Sequence, residues 1–475
     1  MIWQIRAHVL VCALVMLRPA TAAAQSSGAP SAPSQTAPPQ PAAPQASPPG
    51  AASAPDQAAS LRLEDAVRLA LQNNERAQKA PLRVQVAEGQ FERARDAFLP
   101  TIAASGSSTY RPNLEGGTNP TTNGSVTLTQ PLLNPSAFPQ YSQQKHNREA
   151  EKWGSVQDKR QLSFDTAKVF MQALTAGSVL NSAKRKLDSA KLNLDTAQAR
   201  ADAGLASTND VTKAQLQLAT SEGQVANAQG NVQKAYIGLS FIIGQKVQGT
   251  LVPPDNTTKA AQRYEQVRAN QVKTALDRHE RAITAAQNRR PDVQALHEKT
   301  EALHASASEP FYRLIPSLSA SGQLRFVPDP LPSERGVDEQ VSLNLSWQIF
   351  DAGFRYADRK QRVAQLESSK LDEKLLKRSV QNDVELALAA LHAARGNFNA
   401  ALSAATAAEK NTEETAILYK QGLAKAIEVN DANDKQFEAE VTRESAKLSM
   451  EQAYLDLRNA LGFDPIDDEK AAASQ

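Results

Sequence analysis

The chain repeats itself at half length, and the repeat fixes its architecture. Leu99-Pro100-Thr101-Ile102 returns as Ile315-Pro316-Ser317-Leu318, and Leu132-Leu133-Asn134 as Ile349-Phe350-Asp351. Gly204-Leu205-Ala206 returns as Gly422-Leu423-Ala424, Tyr236 as Tyr454, and Gly244 as Gly462. The offset stays at 216 to 218 residues, so the copies run in register almost without insertion. A solenoid repeat has a period of about 20–50 residues; this one is a duplicated folding unit. Each unit reads as long helix, extended hairpin, long helix, tight turn, long helix. The first copy occupies residues 61–250, with its hairpin at about 99–132 and its turn near 204. The second occupies 251–463, with its hairpin at about 315–350 and its turn near 422.

The helical stretches are unusually long. Residues 61–97 carry Leu63, Ala66, Val67, Ala70 and Leu71 at three-four spacing, the mark of one apolar helix face. Residues 138–203 and 205–243 follow, and the second copy repeats the plan at about 263–310, 354–421 and 423–461. A helix of about 65 residues is roughly 100 Å long at 1.5 Å per residue. Such helices cannot wrap a globular core and must lie along neighbours as coiled coils. Aromatic residues make up only 5% of the chain, which also argues against a thick core.

The hairpins alternate with period two. In the second copy Leu318, Ala320, Gly322, Leu324 and Phe326 alternate with Ser317, Ser319, Ser321, Gln323 and Arg325. Across a polar loop, Val341, Leu343, Leu345, Trp347 and Ile349 alternate with Ser342, Asn344, Ser346 and Gln348. The first copy is a weaker version: Ile102 to Tyr110, then Val126, Leu128 and Leu132 against Thr127 and Thr129. One apolar and one polar face over about ten residues suits either a half-buried sheet or a membrane-barrel strand of ~9–11 residues. The chain's start favours the barrel. In residues 1–24, Arg6, the apolar run Val9 to Leu17 and Ala22-Ala23-Ala24 match a secretory signal peptide. No later stretch approaches 18 consecutive apolar residues, so a membrane span has to be made of strands. Four strands cannot close a barrel, because barrels begin at ~8 strands and lipid tolerates no open edge. Several copies of the chain would have to pool their strands.

The remaining segments are simple. Residues 25–60 are rich in Pro, Ala, Ser and Gln, with Asp56 the only charge, and are expected to form a disordered leader. Residues 464–475 form a polar tail. The one cysteine, Cys12, lies inside the signal, which leaves the exported chain without thiols. Removal of Arg6 and Arg18 with the signal leaves 51 basic residues against 51 acidic ones, so no basic excess points to nucleic acid. The histidines have no metal-ligand spacing, and no phosphate loop, dinucleotide fingerprint or nucleophile elbow occurs. Neither an enzyme activity nor a cofactor is expected.

This layout resembles the TolC family of outer-membrane efflux proteins over essentially all of residues 61–463. The resemblance is carried by Leu61-Arg62-Leu63-Glu64-Asp65-Ala66 with Leu69-Ala70-Leu71 and Asn73-Asn74, and by Leu99-Pro100 and Ile315-Pro316. Gln130-Pro131-Leu132-Leu133, Trp347-Gln348-Ile349-Phe350-Asp351-Ala352-Gly353 and the two Gly-Leu turns complete it. It implies a mainly α chain with membrane β-strands. Three chains would give a trimeric 12-stranded β-barrel, four strands per chain, continuous with a long periplasmic α-helical barrel. It implies the exit duct of a tripartite efflux pump or type I secretion system. The partners would be a homotrimer, a periplasmic adaptor (membrane fusion) protein, an inner-membrane transporter and outer-membrane lipid.

The resemblance also assigns residues. Gly204, Leu205, Gly422 and Leu423 would be adaptor-docking tips, a role compatible with plain helix caps. Glu428 and Asp431, three apart on one helix face, would form acidic rings at the narrow periplasmic entrance. As an ordinary pair they would make a solvated face. Tyr419 and Asp210 match gate-holding residues that bond between neighbouring helices. Where the family's best-known gate has an arginine, this chain has Ala424, with Lys425 beside it. The competing reading is a non-channel periplasmic coiled-coil structural or adhesion protein. It accounts for the helices and the signal but not for an alternating hairpin at the same place in both copies.

Overall fold

The computed structural model describes residues 60–110, 121–254, 275–328 and 336–466. The expected signal, most of the leader, the start of the 263–310 helix and most of the polar tail lie outside the described residues.

The first copy contains α1 (Leu63–Asn73), α2 (Glu75–Asp96), β1 (Thr101–Thr109), β2 (Thr121–Leu133), α3 (Ala137–Asp202) and α4 (Thr208–Ile243). The second contains α5 (Ala275–Arg289), α6 (Pro291–Tyr312), β3 (Ser317–Phe326), β4 (Val337–Ser346), α7 (Phe354–Lys420) and α8 (Ala426–Ala460). The helix expected over 61–97 is broken at Asn74. Its backbone is extended there, its side-chain oxygen accepts the Arg76 N–H at 2.9 Å, and its amide nitrogen donates to the Ile242 carbonyl at 2.8 Å. An Asn N-cap restarts the helix in a new direction. The second copy breaks at the matching place, where Pro291 opens α6 as a first-turn proline.

The two hairpins join into one antiparallel sheet in the order β1-β2-β3-β4. Register sets its chemistry. Ile102 faces Leu128, Val126 faces Leu324, Leu318 faces Leu345 and Gly322 faces Val341, so the apolar sets share one face. The other face carries rows such as Thr129–Ser321–Ser342 and Thr127–Gln323–Gln340, neutral hydroxyls and amides across three strands. Within the chain the outer edges of β1 and β4 have no partner strand among the described residues.

α2, α3, α6 and α7 run side by side beneath the sheet, while α4 folds back along α3 and α8 along α7. Each copy has a core of its own, and Leu455 of α8 joins the first copy's. Leu63 and Val67 of α1 bury against Phe164, Phe170 and Met171 of α3 and Leu239 and Ile243 of α4. Ile283, Val293, Val380, Leu391, Met450 and Leu457 do the same in the second copy. Burying each such large side chain contributes roughly 1.5–3 kcal/mol. Elsewhere the helices meet through alanines such as Ala183, Ala190 and Ala228, as close coiled-coil approach requires. No described helix is long and apolar enough to cross a membrane, a statement that leaves strands untouched.

A clamp ties the sheet to α7. The Asp351 carboxylate accepts the Gly353 N–H at 3.1 Å, the Arg355 N–H at 3.0 Å and the Arg355 Nε at 2.8 Å. Buried Arg355 also donates to the Gln348 and Ile349 carbonyls, fixing the chain between β4 and α7. Burial raises the Asp351 pKa, but its bonds to Arg355 and Gly353 outweigh that and hold it below the ordinary value. A depressed carboxylate contributes stability that is complete above its unfolded pKa and lost as pH falls through its folded one. Thermal melts from pH 7 to pH 3 should therefore bring the wild type toward Asp351→Asn below about pH 4. A constant gap between the two proteins across that range would remove Asp351 as the acid-sensitive element.

Candidate functional site

The site lies at the far end of the long helices, where both copies turn. α3 ends at Asp202; Gly204 has φ +70°, its N–H donates to the Ala201 carbonyl at 2.9 Å, and the Leu205 N–H donates to the Arg200 carbonyl at 2.8 Å. α7 ends identically: Gly422 has φ +80°, its N–H donates to the Tyr419 carbonyl, and the Leu423 N–H donates to the Leu418 carbonyl at 2.9 Å. Both are Schellman caps, which use glycine because a side chain is strained in the left-handed region. The residue after that glycine usually packs back onto its own helix. Here Leu205 and Leu423 are 72% and 73% exposed. The caps close by backbone bonds alone and leave two leucines projecting outward.

The next helices start on matched acids. Asp210 is the third residue of α4, and its carboxylate accepts the Ser207 N–H at 3.4 Å, while Ser207 Oγ accepts the Asn209 N–H. Glu428 is the third residue of α8 and accepts the Lys425 N–H at 3.2 Å. Both carboxylates cap helix N-termini, where the macrodipole favours negative charge. Glu428 remains exposed to solvent. Asp431, also exposed, accepts from Lys435 Nζ one turn on at 2.6 Å, a contact that raises the Lys435 pKa. Within one chain, Asp210 and Tyr419 are not brought together by a hydrogen bond. Lys425 serves as the α8 N-cap through its backbone rather than as a cation over Tyr419.

Tyr419 instead meets a residue that sequence reasoning did not select. Arg200, in the last turn of α3, donates to the Tyr419 carbonyl at 2.6 Å, and its guanidinium carbon lies 4.7 Å from the Tyr419 ring centroid. The Tyr419 side chain is buried. Arg200 thus ties the first copy's tip to the second's. Farther along the helices, buried Lys186 of α3 pairs with Asp434 of α8 at 2.6 Å and lies 4.8 Å from the Phe437 ring centroid. Gln217 of α4 donates to the same Asp434 carboxylate at 2.6 Å, and Arg185 pairs with Glu440. Among the described residues no cluster of three or more His, Cys, Asp or Glu could hold a metal ion.

The family model described as outer membrane efflux protein matches residues 66–245 and again 282–463, one match per copy. The fold is similar to that of the Neisseria gonorrhoeae MtrE outer membrane channel in its open state, with a TM-score of 0.69 and 19% identity over 86% of this chain and 91% of that one. The Campylobacter jejuni CmeC outer membrane channel gives 0.68 at 17% identity, over 87% and 88% of the two chains. The outer membrane protein VceC of Vibrio cholerae gives 0.67 at 15% identity, over 85% and 97%. No curated protein matches the chain significantly in sequence.

Proposed function

The chain belongs to the outer membrane efflux protein family, and we propose that it serves as the passive exit duct of a tripartite efflux pump or type I secretion system. One observation carries this reading. A four-stranded sheet with one apolar face and two unpartnered edges is fused to helices of 66 and 67 residues that end in two exposed leucine tips. A bilayer does not tolerate those edges, so β4 of one chain pairs with β1 of the next. Three chains give 12 strands, above the ~8 that a barrel needs. The apolar set faces lipid, and the hydroxyl and amide rows face water. The helices extend into the periplasm, where Gly204, Leu205, Gly422 and Leu423 meet the adaptor. The inner-membrane transporter supplies the energy, and the chain itself does no chemistry.

At the entrance, the exposed carboxylates of Glu428 and Asp431 repeat three times around the axis and favour cations. Tyr419, Asp210 and Lys425 lie at the same level, on or beside the helix caps that shape it. Purified protein in planar bilayers should give discrete conductance with a cation preference. Glu428→Ala combined with Asp431→Ala should bring the reversal potential in a salt gradient measurably toward zero. Unchanged selectivity would remove both residues from the pore. A wild type without conductance would favour a coiled-coil spacer or adhesin.

A further inference from the structure

At the opposite end of the tunnel from the tips, directly beneath the sheet, α2, α3, α6 and α7 line an open concavity of about 660 Å³. Gln90 of α2, Gln140, Gln143 and Gln144 of α3, and Gln361 and Gln365 of α7 line it. On α3 these glutamines lie roughly opposite the exposed side chains of Phe138 and Val156, at 100° per residue. On α3 the concavity therefore faces away from the exposed apolar side chains, while on α2 the exposed Val86 lies one turn from Gln90 on the lining face. Its volume falls in the ~300–1,000 Å³ range of small-molecule sites. Ala94 is its one apolar lining residue, so an apolar solute gains little by entering.

The charges on its wall are not equivalent. Arg362 donates to Asp358 at 2.9 Å and to Ser306 Oγ at 2.9 Å, and lies 3.3 Å from the buried Glu309 carboxylate. Arg313 bridges the same two acids, at 2.8 Å from Glu309 and 3.4 Å from Asp358. Two acids and two guanidinium groups thus neutralise each other. Arg93, in the last turn of α2, has no hydrogen bond or ion pair among the described residues and is exposed on the same concavity.

We infer that this amide-lined concavity is a transit site for hydrophilic, carboxylate-bearing solutes, with Arg93 as the residue that selects for the anion. The inference rests on the channel reading above and assigns a class of cargo to it. A guanidinium binds a carboxylate through two parallel hydrogen bonds, and surrounding amides offer donors and acceptors to the rest of a polar solute. The site lies just inside the barrel, so a solute added from the barrel side reaches it without passing the tips.

The test uses single-channel currents from the full-length protein in planar bilayers, with citrate or the neutral polyol myo-inositol added on the barrel side. Citrate should reduce the current in a saturable way. Arg93→Gln should raise the half-blocking concentration about tenfold or more, as loss of a charged hydrogen-bond donor predicts, and Arg93→Lys should recover part of the block. Inositol should act equally on all three proteins. Citrate block that is absent from open wild-type channels, or identical in Arg93→Gln, overturns this inference and leaves the channel reading standing. Wild-type protein without discrete conductance overturns the channel reading itself.

Discussion

Replacing both Leu205 and Leu423 with aspartate is expected to reduce export to the level of cells that lack the protein. The two leucines are the most exposed apolar residues of the turns, yet neither holds its turn together. Their N–H groups close the caps, and aspartate supplies the same N–H. The folded chain therefore loses almost nothing. An adaptor that buries these side chains loses roughly 2 kcal/mol of apolar burial at each tip and has to desolvate a carboxylate in its place. Two tips per chain, and three chains in the proposed assembly, multiply the effect. The double variant should still give discrete conductance in bilayers and migrate as the wild-type oligomer. Normal export by such a protein would exclude the Gly-Leu turns as the docking surface.

What was legible in the sequence depended on local rules. Period-two alternation gave the strands, and their observed register keeps Leu318, Leu345, Val126 and Ile102 on one face. Glycine at the turns is a backbone requirement, and it appears in both copies at matching positions. The break at Asn74 was missed because the apolar spacing of α1 runs on toward Ala77 and Ala80. The signal for it was present, since an Asn followed by Glu75 is a helix start. Arg200, Lys186 and Arg93 were not legible. Each is one of many surface-type cations in a chain with 53 Lys and Arg. Arg200 and Lys186 acquire a role only when the first copy's helices lie against the second's, and Arg93 only when four helices share a concavity. The duplication offered one indirect clue: Arg200 corresponds to Leu418, so the copies differ next to the tyrosine.

On the proposed duct reading, that asymmetry predicts which contact holds the entrance closed. Arg200→Ala removes a charged hydrogen bond to the Tyr419 carbonyl, worth about 1.5–3 kcal/mol, and a cation–π contact worth about 0.5–1 kcal/mol at a partly exposed site. If the contact exists only while the two tips lie together, its loss shifts the closed-to-open ratio by roughly 30- to 1,000-fold. Single-channel recordings should then show the variant mostly in its high-conductance level, and the cells should admit large antibiotics that the wild type excludes. The acceptor is a backbone carbonyl, so Tyr419→Phe should stay closed because it keeps both the carbonyl and a ring. Tyr419→Ala should open partway, since it keeps the hydrogen bond but loses the ring under the guanidinium. A gate that depended on the tyrosine hydroxyl would reverse this order, with Tyr419→Phe opening and Arg200→Ala remaining closed. Lys186→Ala, lying farther up α3, breaks the contact to Asp434 of α8 while leaving Arg200 in place. Its effect on conductance should be smaller than that of Arg200→Ala, because the tips remain tied at the turn itself.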